Sequence, residues 1–422
     1  MNANVTNVSD YETGYECGKK WDSFRSNYAQ VHGWASLLVC IFGCIANSLN
    51  IAVLTRRDMR SPTNMILTGL AVADLLVMIE YIPYAIHLYL YRRPRRDTFT
   101  YGWAVFVLFH SNFAQVCHTI SICLTLTLAI WRYIAVAHPQ KNHEWCSQRR
   151  TIIAIVGAYL FCPILCIPLY ITTEVRSQIE LLDENGMNVN MTNVRNNNYW
   201  NYSIYNNTSN TTLYFVKLKE TPMVNGMLNE MNFWIYSVVI KLIPCMALTI
   251  LSIKLVIVLL EAKERRKKLT TTALKTNDER LADKATNDQA KMKKKKANRN
   301  MEKERQTDRT TMMLLAVLLL FLLTELPQGV LGLLSVILGS SFFHTCYVML
   351  GDVIDILTLI NSAINFILYC TMSRQFRTTF KQLFCSKWRN LSRWMPIPQQ
   401  PMDNNGCFIL NVIRPIYRRS YC

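Results

Sequence analysis

Apolar residues along the 422-residue chain are gathered into seven blocks, not spread at the short periods of a soluble core. The blocks cover residues 33–56, 63–90, 103–135, 149–172, 233–260, 311–338 and 346–370. Each exceeds the roughly 20 residues that a helix needs to cross a ~30 Å hydrocarbon layer. Lipid offers the backbone no partners, so blocks of this length span as helices. The pattern predicts an all-α membrane protein: a tail at 1–32, a seven-transmembrane helix bundle over 33–370 and a tail at 387–422. Between them, SRQFRTTFKQLFC sets Phe376, Phe380 and Phe384 on one stripe opposite Arg and Lys. That stripe predicts a short amphipathic eighth helix over 371–386, lying at the membrane surface. Two polar stretches, 183–212 and 270–300, are expected to lack fixed structure. The opening MNANVTNVSDYETGYECGKK holds no apolar h-region, so the first span is expected to direct insertion itself.

Two signals orient the bundle. Glycosylation acceptors N-x-[ST] occur at Asn4 and Asn7 in the first tail and at Asn190, Asn201, Asn206, Asn207 and Asn210 between spans four and five. An eighth, Asn390, falls on the opposite side and is expected to be unused. Residues 261–309, the third inner loop, hold 17 basic against nine acidic residues, and the tail after 371 holds nine against one. Positive residues stay inside. The expectation is a multi-pass plasma-membrane protein with an extracellular N-terminus and a cytoplasmic C-terminus. The basic stretch Tyr91-Arg-Arg-Pro-Arg-Arg96 then lies outside, against the rule.

A net charge of +18 and the run KMKKKKANR suggest nucleic acid as a partner. Tethered between two spans, that run is better matched to anionic inner-leaflet lipid, and no nucleic acid is expected. Most of the fourteen cysteines sit inside spans, where a thiol packs as a small apolar group. There is no C-x-x-C and no His/Cys cluster for a structural metal. Cys17 and Cys346 are the two expected to meet the oxidising exterior, and a bridge between them is the simplest pairing. Cys385, at the end of the amphipathic stretch, is a candidate for palmitoylation.

Polar residues deep in the apolar blocks carry the chemistry: Asn47 and Asn50 in span one, Asp74 in LTGLAVADLL, Ser121 and Arg132 in span three, and NSAINFILY in span seven. One buried carboxylate ringed by amides and hydroxyls is either a hard-cation site or a hydrogen-bond network without an ion. The set resembles the rhodopsin-like (class A) G-protein-coupled receptors, over about 33 to 385. That resemblance implies a sodium and water pocket of Asp74, Ser121, Asn361, Ser362 and Asn365, with Na+ beside Asp74 as the sole bound cofactor. It also implies that Arg132, Tyr133 and Tyr369 serve activation and G-protein coupling.

The chain departs from that family in several places. Trp131-Arg132-Tyr133 stands where the family has Asp/Glu-Arg-Tyr, so Glu304 or Asp308 is expected to hold Arg132 instead. The alternative is an ordinary snorkelling arginine. Phe366 replaces the proline of Asn-Pro-x-x-Tyr, which should leave the helix straighter there. Pro83, Pro168, Pro244 and Pro327 remain as kink positions. The family's usual disulfide from span three to the next outer loop is impossible, because 101–116 and 173–232 contain no cysteine. The span-four tryptophan is missing, and Thr-Glu-Leu-Pro replaces Cys-Trp-x-Pro in span six. With MRSPTNMILTGLAVADLLVM, YGWAVFVLFHSNF, HTISICLTLTLAIWRYIAV, HPQKNHEWCS, LLTELPQG and INSAINFILYC, these departures resemble the invertebrate myosuppressin and FMRFamide-like peptide receptor subfamily.

Glu325, near the middle of MMLLAVLLLFLLTELPQGVLGLLSVIL, is the costliest residue: a central carboxylate costs about 2.5–3.5 kcal/mol on insertion scales. Lys241, protonated His118, or both are its expected partners, forming a buried polar lock. Asp355 and, one turn above, Asp352 add acid near the outer mouth, while Glu80 lies about 120° off the Asp74 stripe. The resemblance implies an extracellular amidated peptide ending in Arg-Phe-amide. Its arginine would fork onto Asp355, and its ring would enter a slot of Phe109, Phe113, Tyr84, Tyr236 and Leu331. Gln115, His118, Glu325, Gln328 and Asp352 complete the expected ligand set. Arg92 to Arg96 would greet an acidic upstream segment.

The chain thus reads as a receptor for an RF-amide or myosuppressin-like neuropeptide. It would act through a heterotrimeric G protein of the Gi/o class and then arrestin. A different cationic peptide or small molecule is the alternative, and a secondary transporter a distant one, disfavoured by the odd number of spans and absence of repeats. A retinal protein would need a lysine in the last span, and 346–370 has none. Neither a Ser/His/Asp set nor H-E-x-x-H is present, so no enzyme is expected.

Overall fold

The computed structural model describes residues 20–91, 93–187, 208–219, 229–280, 315–316, 319–338 and 342–385. Among the described residues, seven helices are long and apolar enough to cross a membrane: Asn27–Leu54, Pro62–Leu90, Tyr101–Ala137, Gln148–Thr172, Ile235–Val258, Leu319–Leu338 and Gly351–Thr371, spans one to seven. Every apolar block becomes one of them. Span one belongs to a helix that already begins at Lys20, ahead of the expected start at 33. Those extra turns have a face to bury: Tyr28 packs on His32 at 5.6 Å, and His32 meets Tyr89 of span two edge-on at 4.8 Å.

Local chemistry sets the ends and the breaks. Ser61 Oγ accepts from the Asn64 N–H at 3.2 Å and Pro62 opens the first turn, which together start span two. Proline lacks an N–H and crowds the preceding turn, so helices loosen beside it. Span two widens into a π-turn, Ile86–Leu90, after Pro83. Span five does so over Ile235–Leu242, just before Pro244. Span four breaks at Cys166, between Pro163 and Pro168. Span seven, with Phe366 in the place of proline, runs as one unbroken helix, Gly351–Met372.

Two expectations of disorder are corrected. Strands β1, Thr173–Leu182, and β2, Ser209–Leu218, form an antiparallel hairpin from Thr173↔Leu218 to Leu182↔Ser209. The stretch 183–187 turns through Gly186 at φ 71, so only 188–207 of the expected loop lies outside the described residues. The segment TTLYFVKL is β-branched and aromatic, and Leu182 and Leu213 give the hairpin a buried side. The all-α expectation is therefore amended by one two-stranded sheet. The helix of span five continues to Arg280, which places 270–280 in helix; 281–300 lies outside the described residues. Its Lys, Arg, Glu, Leu and Ala content favours continuation.

Span one packs along spans two and seven, and span three lies against two, four and five. Leu38, Leu160 and Leu323 are exposed, an apolar exterior that water would penalise and lipid accepts. The chain divides into two compact units, Met1–Arg377 and Thr378–Cys422. A helix at Arg374–Phe380 and a turn at Lys381–Cys385 occupy the expected eighth-helix segment, with Cys385 as the turn's last residue. In the first unit Phe376 is buried, its ring 5.8 Å from Tyr369 and 5.9 Å from Phe366. In the second, Phe380 and Phe384 pair at 4.9 Å. Cys346 is disulfide-bonded, and its expected partner Cys17 lies outside the described residues. Asn210 is exposed on β2; Asn4, Asn7, Asn190, Asn201, Asn206 and Asn207 lie outside the described residues.

Candidate functional site

Glycines on span six create the centre of the site. Gly329 and Gly332 follow Glu325 on the same helix face. A Cβ at Gly329 would come within 3.1 Å of the Lys241 Cβ, and one at Gly332 would fall on the Ser237 hydroxyl. A side chain has no room at Gly332 and little at Gly329, so span five passes close enough to deliver Lys241 to Glu325. The Lys241 ammonium lies 2.5 Å from Glu325 Oε2, and His118 Nε2 donates to the same oxygen at 2.9 Å. Glu325 is 0% and Lys241 1% exposed. The expected lock forms with both candidate partners at once. The Lys241 ammonium also sits 5.7 Å from the Tyr236 ring centroid, a favourable cation–π approach.

Deeper along the bundle, Ser121 donates to Asp74 Oδ1 at 2.9 Å and Asn365 Nδ2 to Oδ2 at 3.2 Å. Asn361, Ser362 and His118 line the same space, a cavity of about 10 Å³. That is room for one water-sized particle. The donors are carboxylate, hydroxyl and amide oxygens, a set that fits a hard monovalent cation as well as a water.

Toward the hairpin end, a cavity of about 290 Å³ brings together Tyr84, Gln115, His118, Tyr236, Gln328 and Asp355. Among the described residues, no lysine or arginine lines it. Among the described residues, nothing hydrogen-bonds or ion-pairs with the Asp355 carboxylate. Gln328 donates to the Tyr236 hydroxyl, which leaves Gln328 Oε1 a buried acceptor with no partner among the described residues.

Five expected ligand contacts are corrected. Phe109 is 53% exposed and stacks on Phe113 at 5.2 Å, so this pair lies off the cavity. Phe109 falls on the outward phase of span three, while Phe113 packs against the apolar core beside Tyr84. Asp352 accepts from the Tyr89 hydroxyl at 2.8 Å and does not line the cavity. Leu331 does not line it, and Glu325 is enclosed in its lock beneath. Conversely, Glu80 turns inward and pairs with His110, a wall of the cavity. The 120° offset from Asp74 misleads because span two has protein neighbours on several sides, and that angle lands on span three. His110 was overlooked altogether; its position one residue past an outward Phe109 was the available signal.

The basic loop is also largely spent within the protein. Arg95 forks onto Glu180 of β1 at 2.8 and 2.9 Å, Arg96 lies 3.6 Å from Asp97, and Arg93 lies over Tyr91 at 4.6 Å. Arg92 lies outside the described residues. Tyr214 N–H donates to Phe99 O at 2.9 Å. These contacts fasten the hairpin to the loop before span three in a region without cysteine.

At the opposite end, Trp131 Nε1 donates to Thr151 Oγ1 of span four at 3.0 Å, so the residue in the acid's place ties spans three and four. Tyr133 packs edge-on to His138 at 6.2 Å, and Tyr369 is buried against Phe376. Glu304 and Asp308, the expected partners of Arg132, lie outside the described residues.

The chain is 29% identical over 406 residues to the G-protein coupled receptor dmsr-1 of Caenorhabditis elegans, covering 92% of this chain and 75% of that protein. It is 26% identical over 363 residues to the sex peptide receptor of Drosophila melanogaster, covering 85% and 73%. It is 24% identical over 389 residues to the FMRFamide receptor of the same fly, covering 89% and 57%. The model of the serpentine type seven-transmembrane G-protein-coupled chemoreceptor family Srw matches residues 34–287 and 288–387. With seven spans and a match over most of its length, the chain belongs to the Srw family of serpentine G-protein-coupled receptors, multi-pass membrane proteins that signal without catalysis of their own.

Proposed function

We propose that this receptor binds an extracellular amidated neuropeptide of the RF-amide or myosuppressin-like type, at the plasma membrane and in the rhodopsin-like manner. One observation carries the reading: Asp355 faces a cavity that no lysine or arginine lines among the described residues. A peptide arginine supplies the missing cation through two parallel hydrogen bonds. Gln328 Oε1, a buried acceptor, suits a terminal carboxamide N–H, whereas a free carboxylate would meet like charge at Asp355. The names of the sex peptide and FMRFamide receptor relatives support a peptide ligand.

Agonist binding shifts a pre-existing equilibrium toward a state in which span six opens at the end away from the hairpin. Arg132, Tyr133 and Tyr369 then meet a heterotrimeric G protein, of the Gi/o class by family analogy, and afterwards arrestin. Sodium beside Asp74 would favour the resting state. The test is a panel of amidated peptides applied to cells with a cAMP reporter, with Asp355→Asn in parallel. We expect an arginine-containing peptide to act on the wild type and to lose one or more orders of magnitude in potency on Asp355→Asn. Equal potency on both ends the assignment. A small cationic ligand is the second reading, since 135 residues are 30% identical to a trace amine-associated receptor of Petromyzon marinus. Activation by a simple amine alone would favour it.

A further inference from the structure

A further cavity, of about 200 Å³, opens between the hairpin end of span two, the loop before span three and strand β2. Its walls are largely rings: Tyr84, His87, Phe99, Trp103 and Phe215. These walls are fixed in place. His87 and Trp103 stack at 3.4 Å and 13°, His87 Nε2 lies 3.1 Å from Thr98 O, and Phe99 meets Phe215 at 4.8 Å. Arg95, clamped to Glu180, holds its guanidinium over Phe99 at 4.9 Å and secures the roof. Tyr84 and Val107 also line the cavity of Asp355, so the two spaces adjoin across a shared wall.

We propose that this cavity is a subsite for one aromatic side chain of the ligand, seated beside the basic residue that Asp355 receives. The inference rests on the function proposed above and replaces the slot that Phe109 and Phe113 fail to form. Size supports it: a benzene ring fills an apolar cavity of about 150 Å³, so this one admits a single phenyl or indole. Chemistry supports it too. Among the described residues no charged side chain lines the cavity, and its polar wall His87 already has Thr98 O as a partner, so an apolar guest suits it. Ring walls add edge-to-face contacts that an alkyl guest of equal area lacks.

Ala104 lines the cavity and is buried, so Ala104→Phe fills it from within, and Ala104→Leu is a milder filler should the larger one misfold. Cells expressing the full-length receptor are challenged with synthetic Phe-Met-Arg-Phe-amide and Phe-Met-Arg-Ala-amide. We expect the wild type to prefer the first by roughly tenfold or more, and the filled variants, at matched surface expression, to lose that preference. A retained preference overturns the subsite. In a second measurement, thermal unfolding of the purified full-length receptor is followed with indole. A saturable rise in Tm for the wild type that is absent from the filled variants supports the subsite; no rise, or the same rise in both, overturns it. Indole stabilisation together with a peptide response indifferent to Asp355→Asn keeps the cavity and removes the function proposed above.

Discussion

Glu325 can sit at the centre of a spanning helix because an ammonium and an imidazole share one of its oxygens. Lys241 and His118 both reach Oε2 from neighbouring spans. Removing one partner of a buried pair costs about 3–5 kcal/mol, while replacing both by neutral groups is far cheaper. Lys241→Met should therefore cut surface expression severely, and Lys241→Met with Glu325→Gln should restore most of it. Flow cytometry of an N-terminal tag reads this, and a double variant as poor as the single one would refute the lock. The same logic applies to Asp74, whose oxygens are held by Ser121 and Asn365. If sodium sits there, replacing it by a bulky organic cation should raise agonist affinity in wild-type membranes and change nothing in Asp74→Asn, as radioligand competition would show.

Between elements, close approach does what a disulfide does elsewhere. The bidentate Arg95–Glu180 pair and the Phe99–Phe215 contact hold the hairpin where no cysteine is available. Partly exposed ion pairs are weak singly, about 0–1 kcal/mol, but this one is bidentate and ring-flanked. Arg95→Ala should weaken peptide binding by about tenfold, equivalent to ~1.4 kcal/mol. Exchanging the two charges, Arg95→Glu with Glu180→Arg, should recover part of the loss in the same binding assay. Between spans five and six, Gly332→Ala should push the two helices apart and reduce expression. Adding Ser237→Gly makes room and should rescue it, since the clash is with the Ser237 side chain.

At the scale of the whole molecule, two ends separated by the lock must communicate. A receptor that couples to a G protein binds agonist more weakly when a GTP analogue uncouples it, because linkage is reciprocal. Membranes carrying this chain should show that loss, and a transporter would not.

How much of this was legible from residues alone follows from the range of the forces involved. Span number and placement were readable because apolar length is a property of contiguous residues. So was the lock, because a carboxylate in lipid demands a partner and few cations lie at its depth. The hairpin was missed because polar composition hid the pairing of TTLYFVKL with a strand beyond a long loop. The sequence by itself determined a seven-span receptor bundle and the need to neutralise Glu325 and Asp74. Only the tertiary structure decided that Phe109 turns outward, that Glu80 meets His110, that Arg95 is already engaged and that Asp355 faces an open cavity. Each of these depends on where a neighbouring helix or strand comes to rest, which helical periodicity within one span cannot specify.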